Sequence, residues 1–141
     1  MKMTNEEIFY RSQLAEASPV NEDERTVELA FSSEKPVERV FGNEVLDHDP
    51  ASVDLSRLND GAPLLLEHNR EEQIGVVERA HIDGDKVGRA VVKFSQSVRA
   101  QEIFQDVVDG IRRLVSVGYS VTRFAKEKSD DGLDTVRAMD W

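Results

Sequence analysis

The spacing of apolar positions changes character several times along this chain, and each change predicts an element. Thr26-Val27-Glu28-Leu29-Ala30-Phe31 alternates polar and apolar residues, the period of a half-buried strand, and stops at Ser32-Ser33. Val37 to Phe41 predicts a second strand. After the polar turn Asp47-His48-Asp49-Pro50, Pro50 fits the first position of a short helix through Leu58, capped by Asp49. Pro63-Leu64-Leu65-Leu66-Glu67-His68 is an apolar run too short for a helix and fits a buried strand. Ile74 to Ile82 and Val87 to Phe94 are β-rich. The Asp83-Gly84-Asp85-Lys86 stretch between them predicts a hairpin, because glycine takes positive φ without steric cost.

The period then becomes helical. Ala100, Ile103, Phe104, Val107, Val108 and Ile111 form one apolar stripe, predicting a helix from Val98 to Asp109 with Ser97 as N-cap and Gly110 as its stop. Strict alternation returns over Leu114 to Thr122. Val115, Val117, Tyr119 and Val121 share one face; Ser116, Gly118 and Ser120 share the other. Lys126 to Gly132 reads as a charged loop, and Thr135 to Met139 as a last strand. Many strands with one strong helix predict an α+β fold, a mostly antiparallel β-barrel with a prominent helix preceding the serine strand. Residues 1–25 read as a flexible leader, with one short strand around Ile8 to Tyr10, and 26–141 as the domain.

Composition narrows the function classes. Of 141 residues, 39% are hydrophobic and 33% charged, within the range of a folded domain. The formal net charge of −10 repels phosphate backbones and anionic lipid, so neither nucleic acid nor membrane is an expected partner. The absence of cysteine excludes disulfides and zinc–thiolate sites. Asp47-His48-Asp49 offers three metal-ligand types in a row, but successive residues rarely converge on one cation. Gly118 follows Ser116 by two residues, yet Leu114 stands where a nucleophile elbow needs its first glycine.

Ser116 sits between small neighbours on a strand face, where a hydroxyl is accessible. Taken alone, an ordinary solvent-facing serine is the plainer reading. A serine nucleophile needs a base within hydrogen-bond reach. Among the three histidines, His68 is the best candidate, at the end of an apolar strand that could aim its ring. A structural histidine is the plain alternative.

The run Gly61-Ala62-Pro63-Leu64-Leu65-Leu66-Glu67-His68-Asn69 followed by Ile74-Gly75-Val76-Val77 resembles the histidine motif of tailed-bacteriophage prohead proteases. Arg113-Leu114-Val115-Ser116-Val117-Gly118-Tyr119, after the Ala100–Gly110 helix, is similar to their serine motif. The resemblance runs from Thr26 to Trp141. It implies the β-barrel shared with herpesvirus assembly proteases and a serine endopeptidase that cleaves scaffold and capsid-protein extensions during prohead maturation. Ser116 would be nucleophile and His68 general base, with no metal or organic cofactor. It further implies phage scaffold and major capsid protein as substrates, a homodimer by analogy, and a location inside the prohead in the host bacterial cytoplasm. Trp141 resembles a landmark just before the family's orienting acid, so the domain is expected to be truncated at its C-terminus. The alternative is a catalytically inactive domain acting as a capsid-assembly or scaffold-interaction module.

Overall fold

The computed structural model describes residues 7–128 and 134–141. Among them lie eleven strands and one helix. In chain order these are β1 (Phe9–Leu14), β2 (Val20–Asn21), β3 (Thr26–Ser32), β4 (Val37–Arg39), β5 (Gly42–Leu46), β6 (Pro63–Leu66), β7 (Asn69–Ile82), β8 (Gly88–Phe94), α1 (Val98–Val108), β9 (Leu114–Tyr119), β10 (Arg123–Lys128) and β11 (Asp134–Asp140).

The strands form three sheets: a five-stranded β2-β3-β8-β7-β6, a four-stranded β10-β11-β5-β4, and the two-stranded ribbon β1-β9. None of the three closes on itself. The chain is therefore a mostly-β fold of open sheets, which corrects the expected α+β barrel. A succession of strands along the chain shows where strands are without showing which of them pair. One pairing is parallel, β11 beside β5, and the others are antiparallel, as the expected mostly antiparallel arrangement has it.

The main core lies between the five-stranded sheet and α1. Val27, Phe31, Ile74, Val77, Val92 and Phe94 pack against Ala100, Ile103 and Phe104. Burial of such side chains is the main force holding helix to sheet, at roughly 1.5–3 kcal/mol each. The predicted helix is found at its predicted place. The Ser97 hydroxyl accepts from the Ala100 N–H at 3.2 Å, and Gly110 closes the helix at φ +72°. Ile111 lies beyond that stop and is exposed, so the last residue of the apolar stripe falls outside the helix.

Other expectations fared unevenly. The predicted helix over 50–58 is absent; the segment forms turns, anchored by the Asp49 and Asp54 side chains accepting local backbone N–H groups. Strand β5 was missed, and β10 fell partly in the predicted loop, whose remainder lies outside the described residues. The β7–β8 hairpin is present, but its positive φ falls on Lys86 (+61°) and not on Gly84. Within the region read as a leader, β1 pairs with β9 over six residues.

Candidate functional site

Ser116 lies at the centre of β9, half-buried, directly opposite Ser12 of β1. His68 does not end a strand. Leu66 pairs with Asn69, so Glu67 and His68 are the two central residues of a tight hairpin, at φ +53° and +56°. Positive φ at both positions is the signature of a type I′ turn, which normally recruits Asn-Gly. His68 is exposed, and its ring meets the Tyr10 ring edge-on at 4.7 Å. Tyr10 in turn lies over Gly118, where an added Cβ would come within 2.9 Å of the tyrosine ring. The fold thus brings His68 and Ser116 to one side of the ribbon, with the Tyr10 ring beside the imidazole and no hydrogen bond joining the two side chains. Glu67 is exposed, and Asp140 is engaged by Arg123 at 3.1 Å.

A serine–histidine hydrogen bond does occur, at residues the sequence did not single out as a pair. Ser32 Oγ lies 2.9 Å from His48 Nε2, and His48 Nδ1 lies 2.7 Å from the Leu46 carbonyl oxygen. A carbonyl can only accept, so Nδ1 carries the proton and Nε2 accepts from the Ser32 hydroxyl. Both residues are 1% exposed. Burial pushes the His48 pKa below its ordinary value, against the opposing pull of the Leu46 carbonyl and the Glu34 charge. The pair is chemically suggestive but sealed from any substrate; it is a structural pin. Trp141 closes it on one side, its ring 5.1 Å from the imidazole and its Nε1–H donating to the Asp47 carbonyl at 2.8 Å. Beside it, burial raises the Asp47 pKa but hydrogen bonds from Ser52 and Arg137 outweigh that, and the net direction is down. No group of three or more metal-ligating side chains exists among the described residues.

The most concentrated polar chemistry is a buried cluster around Glu44 of β5. Its Oε1 accepts from Tyr119 Oη at 2.5 Å, Arg11 Nη2 at 3.1 Å, and Arg11 Nε and Arg39 Nε at 3.3 Å each. Arg11 Nη1 also donates to the Lys35 carbonyl at 2.6 Å. Glu44 is fully buried, and its Oε2 has no partner. Burial, and then the hydrogen bond to Glu44, push the Tyr119 hydroxyl pKa up. These residues come from β1, β4, β5 and β9, so the cluster ties the ribbon to the four-stranded sheet. A charge-assisted network of this kind fixes strand position more than it adds net stability. Arg11 looks locally like a surface residue, and the cue at Glu44 is no more than its place beside Val45 and Leu46.

What fold and site define together is a mostly-β module with sealed polar pins and an open ribbon face, and no solvent-open serine–histidine hydrogen bond among the described residues. The chain is 48% identical over 116 residues, 80% of its length, to the major capsid protein of Halomonas phage phiHAP-1. It spans about a fifth of that relative, 19% of its length. No protein-family model matches the chain, and no solved structure matches it. The chain is therefore related to a phage capsid protein. The expected serine endopeptidase is overturned by this similarity, because a protein named for the shell it builds points to a structural role. The resemblance was correct in its phage-capsid setting and incorrect in its enzyme class.

Proposed function

We propose that this chain is a non-enzymatic assembly module of a phage capsid-related protein, acting in the infected bacterial cell with capsid-forming chains as its partners. The single observation that carries the proposal is the 48% identity to a segment of a phage major capsid protein. Two structural features support it. The Glu44 cluster and the Ser32–His48 pin hold three sheets in fixed relation, which suits a part that must dock in one geometry. The open ribbon face offers a surface on which to dock.

On this reading Ser116 and His68 are surface groups of the ribbon and its neighbouring turn. The test is a chimera in which this chain replaces the matching segment of the Halomonas phage protein. Particles visible by electron microscopy are expected from the chimera, and from its Ser116→Ala variant in equal yield. Particles formed equally well after deletion of the segment would overturn the assembly reading. A defect in particle maturation confined to Ser116→Ala would overturn the non-enzymatic one.

A further inference from the structure

We infer that the outer face of the β1–β9 ribbon is the docking surface for a second copy of this chain, an inference that rests on the assembly reading above. Side chains directly opposite each other in an antiparallel pair share a face. The register places Tyr10 with Gly118, Ser12 with Ser116 and Leu14 with Leu114 on one face. That face looks outward: Tyr10 is 52% exposed, Leu14 57% and Leu114 73%, and Ile8 continues it at 50%. The other face turns inward, carrying Arg11 and Tyr119 to the Glu44 cluster.

Charge is the second argument. The chain carries a net charge of −10, and one residue in three is charged. None of the seven residues on this face is charged. Two copies of so acidic a chain repel wherever carboxylates meet. A charge-free face is where that repulsion is least and where apolar contact can act.

Shape and end charges select a second copy as the occupant. The leucine pair Leu14–Leu114 stands as a ridge at one end, Tyr10 with Ile8 stands at the other, and the short side chains of Ser12 and Ser116 leave a trough between them. Under a two-fold axis through the Ser12–Ser116 centre, the leucine end of each copy seats against the Tyr10–Ile8 end of the other. Arg113 borders the leucine end and Glu7 the opposite end; both are exposed, and neither makes an ion pair among the described residues. Running the two ribbons antiparallel brings the arginine end of each copy toward the glutamate end of its partner.

Six-residue strands rising about 3.4 Å per residue give a ribbon roughly 20 Å long. That is a small interface, so the association is weak, with Kd on the order of micromolar or above. Weak contacts repeated over many copies are what an assembling lattice uses.

The experiment is sedimentation velocity on the 141-residue chain across a concentration series reaching several hundred micromolar, a range set by the expected Kd. A concentration-dependent monomer–dimer equilibrium is expected. Leu114→Lys, at a site too exposed to affect folding, should raise Kd by about tenfold or more, with circular dichroism unchanged. Val40→Lys, a fully exposed apolar site outside the ribbon, should leave Kd unchanged. Arg113→Glu should weaken the dimer, and adding Glu7→Lys should restore it. A chain that stays monomeric throughout overturns the inference, as does a dimer indifferent to Leu114→Lys or one broken by Val40→Lys. Each of these leaves the assembly reading standing if the chimera still forms particles.

Discussion

Removing the Glu44 carboxylate should expose how much of this fold hangs on one buried charge. In Glu44→Ala, Arg11 loses one of two acceptors for Nε and one of two for Nη2, retaining the Tyr119 hydroxyl oxygen and the Lys35 and Glu44 backbone carbonyls. Tyr119 Oη loses its acceptor, and Arg39 keeps Tyr10 and Tyr119 oxygens. Arg11 is 8% exposed, so its charge cannot turn to water without moving β1. Breaking a buried pair from one side typically costs about 3–5 kcal/mol, and Arg11 gives no reason to expect less. For a chain of this length that is a fall in Tm of about 10 °C or more. Arg11→Met should cost a similar amount, because it leaves Glu44 buried beside a weaker set of donors. The double variant Glu44→Leu/Arg11→Met removes both charges and fills the space. It should be far more stable than the sum of the single losses predicts, since an apolar replacement of a buried pair is often close to neutral. Urea unfolding followed by far-ultraviolet circular dichroism, with equal slopes across the series, measures each value. A Glu44→Ala cost below about 1 kcal/mol, or strict additivity in the double variant, would refute the argument that the cluster acts as one buried unit.

Further outcomes follow from other sites. The folded pKa of His48 lies below its unfolded value near 6.5, so the unfolded chain binds the extra proton first. The contribution of His48 to stability is full above about pH 6.5 and declines as pH falls from there; His48→Gln should flatten that part of a stability–pH profile measured by urea midpoints. Glu67→Asn/His68→Gly supplies the residues that a turn with two positive φ values favours, and should raise stability by about 1 kcal/mol in the same assay. Gly75→Ala places a Cβ 2.2 Å from the Lys93 carbonyl oxygen, a backbone atom that cannot swing away, and should cost at least about 2 kcal/mol or prevent folding. A fluorophosphonate probe should leave Ser116 unlabelled by peptide mapping, since no imidazole is hydrogen-bonded to it.

The parts of this structure legible in the sequence are those that local spacing determines. Helix α1 was readable because Ala100, Ile103 and Phe104 repeat at helical intervals between a serine cap and a glycine stop. Strand β3 was readable because its sequence alternates, and β7 and β8 because two β-rich runs flank an Asp-Gly turn. Partner choice was not readable. The parallel β5–β11 pair joins segments far apart in the chain, and no local pattern encodes such a contact. Glu44 and His48 were missed as buried groups because polar residues in short strands and turns ordinarily face water. The one local hint at Glu44 is that it shares β5 with Val45 and Leu46, both buried. His68 was placed correctly in the chain but assigned the wrong geometry. The hairpin turns two residues earlier than the apolar run suggested, so its ring projects from a turn.

The docking of Trp141 against Asp47 has a consequence for how the chain is made. That contact closes over 94 residues, and β11 reaches β5 across a similar span. At a synthesis rate of about 5–20 residues per second, β4 and β5 wait roughly 5–20 s for their neighbouring strand. Through that interval Val45, Leu46 and the edge of β5 are uncovered inside a cell producing many copies of the same chain. An unpaired apolar edge in that setting can pair with the wrong molecule. Yield of correctly folded chain should therefore depend on expression rate, and slower synthesis at lower temperature should favour the soluble product.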